Sequence, residues 1–453
     1  MNDERNDVNS GGYFSSGNDA GFGADSGAYV SGMPNWAPRE LSEEYTGAEK
    51  KRGKVDAPFL MLTLLILMIG LVMVLSASFA RGYYNTREPM RVFTRQFVFA
   101  ISGLAIMVLV SRFSLKTMSR WANLLLAFSI FLLVIVLFVG NEVNGAKRWI
   151  GIGSGGGSFS FQPSEIAKLA LIMAFSKWIC SRGRRKMGTF RYGVIPFVLV
   201  LGCVVVLLMM EKHISASIIV IMLTAIMMYA GGTKLRWFAL ALFAIAVAAA
   251  VVIYPKIRDN QASLNAQSLS EQISQVDWGG DKFSYADGRI NAWLDPDSDP
   301  LGSGFQVRQS LFAVGSGGWT GQGLGQSRQK YLYLPEEHND YIFAIVCEEL
   351  GYIGAMLILV LFALLIIRGF WLAYHAKDLY STLVTIGIMS LLAIQVFLNV
   401  AVVTNLLPAT GVSLPLFSYG GTALWIQLFQ MGIVLAVSRE RVDSRALRAG
   451  SQA

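Results

Sequence analysis

Residues 334–367 read LPEEHNDYIFAIVCEELGYIGAMLILVLFALLII: carboxylates at Glu336, Glu337 and Asp340 lead into an apolar tract that holds two more, Glu348 and Glu349. The tract from 341 to 367 exceeds the roughly 20 residues that a helix needs to cross hydrocarbon. Ionisable groups in such a segment are costly and face a bundle interior or a watery cavity. Glu348 and Glu349 are therefore expected to be buried and paired with basic residues.

The same pattern recurs along the chain, with apolar runs near 57–79, 94–111, 121–140, 163–180, 192–210, 214–231, 235–254, 379–404 and 419–438. Together these make about ten spans. Hydrophobic residues account for 54% of the 453 positions and charged residues for 15%, and mean hydropathy is +0.49, outside the range of soluble domains. Backbone polar groups in hydrocarbon must be satisfied within the spanning structure, and continuous rather than alternating runs favour helices over a barrel. The expected fold is an all-α polytopic membrane bundle over 51–442, with a large extracellular loop at 255–338 between helices 7 and 8.

Residues 1–50 are rich in Gly, Ser, Asn and Asp and carry too little apolar surface to repay ordering; a disordered cytoplasmic tail is expected there, and a short cytoplasmic tail at 443–453. No basic start, apolar core and cleavage site precede the first run, so no removable signal is expected. Lys and Arg at 50–54, 112–120, 177–186, 234–236, 368–377 and 439–441 fall on one side if the spans alternate, which puts both termini in the cytoplasm. Arg81, Arg87, Arg91 and Arg95 dissent. The net charge of +8 is thus mostly topology, spread over short loops rather than gathered on a nucleic-acid-binding domain. Cys180, Cys203 and Cys347 lack the paired spacing of metal or disulfide frameworks and read as helix residues.

Several polar constellations fall on the predicted outer side. The loop at 255–338 carries Trp293, Phe305, Leu311, Phe312 and Trp319, more apolar surface than a solvated linker needs, and is expected to pack as the wall of a cleft. At helical spacing Glu337, Asp340, Ala344 and Glu348 share one stripe, with Glu348 about 12 Å deeper than Asp340. Asp340 at that mouth reads equally as a helix cap or as a general base in lowered dielectric. NGAKRWIGIG at 144–153 sets Lys147, Arg148 and Trp149 on an outer loop, where Arg148 either binds phosphate or marks the interface. QPSEIAK at 162–168 opens a helix with Pro163 in its first turn, and Glu165 and Lys168 can pair at i,i+3 or meet the deeper acids. NLLPATGVSLPLFSYGGTALW at 405–425 ends in Ser418, Tyr419, Gly420 and Gly421, the glycines allowing close approach of a ligand or of a neighbouring helix. Basic groups, a Gly-rich loop and an acidic mouth around one cleft suit an anionic, lipid-anchored, partly polar substrate.

Taken in order, NGAKRW, FQPSEIAK, RQSLFAVGSGGWTGQGLGQS, YLPEEHNDYIFAIVCEELGYIG and LPLFSYGG resemble the SEDS family of bacterial cell-wall glycosyltransferases over about 57–440, and GLGQSRQKYLYLPEEHND is nearer its FtsW/SpoVE-like branch than its RodA branch. The resemblance implies ten helices and polymerisation of lipid II into peptidoglycan strands at the outer membrane face during cell division, with inversion at the anomeric carbon. It implies Asp340 as the base, and Arg148, Glu165, Lys168, His338 and Ser418, Tyr419, Gly420 and Gly421 as substrate-contacting or cavity-shaping positions. Arg308 in the outer loop joins Arg148 as a candidate cation for the pyrophosphate leaving group. It further implies a class B penicillin-binding protein as partner, with other division proteins, in the bacterial cytoplasmic membrane. A divalent cation, Mg or Mn, at the pyrophosphate is compatible with the chemistry, but no dedicated metal site is expected, for lack of ligand-spaced His and Asp. Two positions depart from the family pattern: Ser160 replaces a basic residue before the Gln-Pro, and Thr410 stands where some members have Lys. The rival readings are a lipid II flippase or transporter, a RodA-like elongation polymerase, and a noncatalytic division scaffold.

Overall fold

The computed structural model describes residues 53–143, 146–152, 159–241, 243, 289–290, 292–297, 302–331 and 333–440, all within one compact unit, Lys51–Ala453. The expected tails, most of the run at 235–254 and much of the loop at 255–338 lie outside the described residues.

The elements run α1 (Ala57–Thr86), α2 (Arg91–Val110), α3 (Leu115–Val139), β1 (Asn141–Val143), β2 (Ala146–Ile152), β3 (Phe159–Phe161), α4 (Pro163–Met187), α5 (Phe190–Gly193), α6 (Ile195–Met210), α7 (Ile214–Ala230), α8 (Ser303–Ser316), α9 (Ile342–Tyr374), α10 (Leu379–Val403) and α11 (Gly421–Arg439). Among the described residues, seven helical stretches are long and apolar enough to cross a membrane: α1, α2, α3, Phe190–Met210, α9, α10 and α11, with α7 a shorter apolar helix. α11 packs on α2, α3 on α4, and α9 on α10 and α1. α10 and α11 are buried along most of their length, while α2 and α3 turn Phe97, Val98, Ile101, Leu124 and Phe131 outward, as lipid-facing helices do.

Local chemistry sets the ends. Asp56 accepts from the Phe59 amide at 3.0 Å, capping α1, and Asp378 does the same for α10 through Ser381 N at 2.7 Å, each satisfying an orphan first-turn donor. Asp56 also receives a two-pronged bond from Arg368 of α9 at 2.6 and 3.0 Å, tying the entry of α1 to the far end of α9.

Three expectations need correction. The stretch with Lys147, Arg148 and Trp149 is a strand rather than a loop, the centre of a three-stranded antiparallel sheet β1-β2-β3, with Ile150 opposite Phe161. Residues 334–341 form a chain of turns, so Glu337 and Asp340 share no helical stripe with Glu348; Glu336 takes a left-handed φ of 56°, and its carboxylate accepts from Asn339 Nδ2 at 2.5 Å, a local bond that competes with helix. Of the aromatic and aliphatic residues expected to pack in the outer loop, Leu311, Phe312 and Trp319 are exposed, whereas Trp293 Nε1 donates to Asn405 O at 3.0 Å.

Near its start α9 is broken at Gly351, whose φ of 68° and ψ of −172° leave the helical region. The freed groups are taken up by residues 318–323. Glu348 O and Glu349 O each accept at 3.0 Å, from Gln322 N and Gly323 N, and Tyr352 N and Ile353 N donate to Gly318 O and Trp319 O at 2.9 and 3.1 Å. The chain then runs past the two acids. Glu349 pairs with Lys330 at 2.9 Å, both side chains almost fully buried, and accepts from Ser76 of α1 at 2.7 Å. Glu348 accepts from the Ser327 hydroxyl and from Arg328 N at 2.9 Å.

Removing one partner of a buried pair leaves an uncompensated charge, at a typical cost of about 3–5 kcal/mol. Lys330→Met is expected to lower the thermal unfolding midpoint in detergent sharply, and Lys330→Met with Glu349→Gln to recover most of the loss. Equal midpoints for the single and double variants would mean that the pair contributes little.

Candidate functional site

The turns at 334–341 are held from two sides. His338 O accepts from Tyr419 N at 2.8 Å, and Asn339 O accepts from Ser418 Oγ at 2.6 Å, while Ser418 Oγ itself accepts from Leu414 N at 2.8 Å. Gln96 of α2 donates to Ser418 O and accepts from Gly420 N, both at 3.2 Å. Ser418 and Tyr419 thus act on the backbone that carries Asp340. A Cβ on Gly421 would lie 2.4 Å from the Phe99 ring, so close packing on α2 accounts for that glycine. On the inner side Glu337, fully buried, meets Arg81 Nε at 2.9 Å and His338 Nδ1 at 3.3 Å, and the His338 and Tyr419 rings lie 5.6 Å apart.

Asp340 itself is half-buried. Asn399, near the C-terminal end of α10, donates its side-chain amide at 2.7 Å to both Asp340 O and Val412 O, clasping the two non-helical segments together. Gly411, at φ +72°, lies against the carboxylate: a Cβ there would be 3.1 Å from Asp340 Oδ2 and 4.0 Å from Arg289 Nη1. Arg289 donates to Ala409 O at 2.7 Å. Burial and the neighbouring Glu336 push the Asp340 carboxyl up to about 6, with Arg289, Arg148 and His338 pulling the other way. The result is an acid largely ionised at neutral pH yet more basic than an ordinary aspartate.

Arg148 reaches this end from β2, its guanidinium donating to Lys212 O in the turn between α6 and α7. Glu211 in that turn is pushed up to about 8 by burial, against the pull of Arg148. His213 is held well below its usual range by burial and by Arg148, Lys168 and Arg289. Ser215 Oγ donates to Thr410 O, joining α7 to the same turn as Gly411. Glu165 and Lys168 pair with each other at 2.6 Å inside the bundle rather than with Glu348 or Glu349. Arg308 is engaged by Asp297.

Arg148, Arg289, Lys168, His213, His338 and Asp340 therefore share one end of the bundle. A half-buried carboxylate among cations can accept a proton from a ligand hydroxyl and let the arginines meet negative charge. Among the described residues no group of three or more His, Cys, Asp or Glu could hold a metal ion, and the cations around Asp340 make a poor donor set for a resident one. Sequence reasoning missed Arg289, Asn399, Gln96, Glu211 and His213. The EKH triplet at 211–213, wedged between two apolar runs, was a legible signal; the amides of Asn399 and Gln96 were not, since their partners are distant in sequence.

Known proteins share this architecture. The family model described as "Cell cycle protein", covering FtsW, RodA and SpoVE, matches residues 57–443. The stage V sporulation protein E of Bacillus subtilis (strain 168) is 38% identical over 391 residues, 86% of this chain and 98% of that protein. A probable peptidoglycan glycosyltransferase FtsW of Trichlorobacter lovleyi is 35% identical over 385 residues, 84% of this chain and 93% of its own. A solved structure described as "Structural coordination of polymerization and crosslinking by a peptidoglycan synthase complex" superposes with a TM-score of 0.65 at 28% identity, covering 86% of this chain and 99% of that one.

Gly411→Ala asks an L-residue to hold φ +72°, at about 1–2 kcal/mol, and presses a methyl on Asp340. The expected outcome is a modest fall in unfolding midpoint with a disproportionate loss of activity. A stable variant with native activity would show that the contact between Gly411 and Asp340 is dispensable.

Proposed function

The chain belongs to the FtsW, RodA and SpoVE family of cell cycle proteins, and on that premise we propose that it is a peptidoglycan glycosyltransferase that polymerises lipid II during cell division. The observation that carries this reading is Asp340, half-buried, raised to about 6 and ringed by Arg148, Arg289 and His338.

In the proposed reaction a sugar hydroxyl of the acceptor attacks the anomeric carbon of the lipid-pyrophosphate-linked donor. Asp340 takes the hydroxyl proton as the new C–O bond forms. The bond from the anomeric carbon to the pyrophosphate oxygen breaks, its electron pair leaves with the lipid pyrophosphate, and one displacement inverts the anomeric centre. A positioned general base contributes about 10²–10⁴-fold, and a single carboxylate suffices because the pyrophosphate leaves as a stable anion, without the general acid that glycoside hydrolysis needs. Charge developing on the leaving group is met by Arg148 and Arg289, arginine forks matching phosphate geometry. Arg289 takes the place that the sequence reading gave to Arg308, which Asp297 occupies. Tyr419 and Ser418 act as positioning residues, the Tyr419 amide donating to His338 O and the Ser418 hydroxyl to Asn339 O just before Asp340.

With both termini cytoplasmic, as the Lys and Arg distribution indicates, the Asp340 end faces outward, where lipid II headgroups are displayed. A class B penicillin-binding protein is the partner of choice, its transpeptidase consuming the strands. The buried pair Glu165–Lys168 favours a flippase as the second reading, which would need that pair and not Asp340.

Asp340→Asn, purified with a class B penicillin-binding partner and supplied with labelled lipid II, is expected to make no glycan polymer on a gel while folding and binding its partner normally. Undiminished polymer from the variant would remove Asp340 from the chemistry, and flipping in liposomes without any polymer from the native complex would favour the second reading.

The base must be ionised to work. With its carboxyl near 6, the native rate at saturating lipid II is expected to rise through pH 5–7 and level off above, whereas a flat profile across that window would contradict the assignment.

A further inference from the structure

The turn joining α6 to α7 carries a group that the reaction above does not use. Glu211 ends α6, Lys212 follows at a left-handed φ of 54°, and His213 leads into α7. Backbone bonds account for the turn: Lys212 N donates to Met209 O at 3.0 Å, His213 N to Leu208 O at 2.8 Å, and Glu211 N to Leu207 O at 3.1 Å. Lys212 O accepts from Arg148. The Glu211 side chain is not needed for any of this, yet it is only 1% exposed, and neither carboxylate oxygen has a hydrogen-bond partner among the described residues. Buried carboxylates with a structural duty are bonded; this one has Arg148 as its charged neighbour and no hydrogen bond among the described residues.

We propose that Glu211 is a positioning residue for Arg148, leaving the arginine's charge available to a pyrophosphate-bearing ligand only while the Glu211 carboxyl carries its proton. The proposal rests on the reading of function above and adds the control of its anion-binding arginine. A neutral Glu211 sets no negative charge against Arg148, which Lys212 O holds and whose charge acts on Asp340. An ionised Glu211 pairs with that charge and adds a negative one where the anion arrives, which weakens binding on both counts.

The surroundings allow Glu211 to be read separately. Burial, with Arg148, Lys168 and Arg289, holds His213 well below its usual range, Asp340 is pushed up only to about 6, and Glu165 is tied to Lys168. Lys212 is exposed at the turn, and arginines do not titrate in the working range. Glu211, pushed up to about 8, changes charge between pH 7 and 9. By linkage, a ligand that requires its protonated form loses about tenfold in affinity over that window and takes up a proton on binding.

The test uses the purified full chain in detergent with farnesyl pyrophosphate as a water-soluble probe, its affinity measured at pH 7 and pH 9. The native chain is expected to bind about tenfold more weakly at pH 9, and Glu211→Gln, which keeps shape and neutrality, to bind alike at both. A second readout needs no variant: binding to the native chain near pH 8 should draw protons from a weakly buffered solution. An equal alkaline loss in native and Glu211→Gln, no proton uptake, or no binding of the probe at either pH overturns the proposal. Lipid II polymerisation at pH 7 in the same preparations judges the functional reading separately: polymer without the Glu211 effect sinks only this inference, and the Glu211 effect without polymer sinks only the reading of function.

Discussion

The break in α9 at Gly351 is the constraint on which the site depends. A helix interrupted near a membrane exposes carbonyls and amides that hydrocarbon cannot satisfy, so the break exists only because residues 318–323 lie across it and take up the released groups of residues 348, 349, 352 and 353. The approach is possible because both sides are glycine-rich: a Cβ on Gly351 would lie 2.2 Å from Gly321 N. Once the crossing strand is fixed there, residues 327–330 are delivered to Glu348 and Glu349, and the chain beyond them is brought back over the mouth of the bundle as the turns that carry Asp340. The acids inside the span thus anchor a loop, and Asp340 is left half-buried at the mouth.

Charge is divided accordingly. In the interior Glu349 has Lys330 and Glu165 has Lys168, each a local pair that neutralises itself, as low dielectric demands. At the mouth the balance is tilted: Arg148 and Arg289 act on Asp340, and burial pushes the Glu211 carboxyl up against the pull of Arg148. A positive field at the open end and neutrality below suit an anionic headgroup that must be held without being drawn through.

Much of this was legible in the sequence. Long apolar runs located α1, α2, α3, α9, α10 and α11 because hydrocarbon thickness fixes helix length, and the scarcity of charge made each buried acid conspicuous. What escaped was set by contacts distant in the chain. The strand carrying Arg148 lies beside a Gly-rich segment where period-2 patterning is too short to register. The turns at 334–341 were drawn as helix because acids at helical spacing mimic a stripe, and the Asn339 to Glu336 bond that diverts the backbone is invisible to periodicity. Gly351 looked like one more small residue in an apolar tract; only the matching glycines at 317, 318 and 321 hinted that another backbone would come close.

Beyond the Arg81–Glu337 pair and the Arg289 bond to Ala409 O, the segments that frame Asp340 are joined by amides and hydroxyls. Asn399 binds Asp340 O and Val412 O, Gln96 binds Ser418 O and Gly420 N, Gln427 accepts from Leu416 N at 2.8 Å, and Ser418 bridges Leu414 N and Asn339 O. A carboxylate or lysine in any of these positions could satisfy only acceptors or only donors, and would add a charge within reach of Asp340. An amide presents both, so a single side chain can satisfy backbone groups of either kind. Neutral ties thus fix the irregular backbone where hydrocarbon and water meet, and leave the electrostatics of the mouth to its few charged groups. The geometry of the site and its charge are set by different residues, which is why the positioning groups, spread over α2, α10 and α11, carry no signature that a search for ionisable clusters would find.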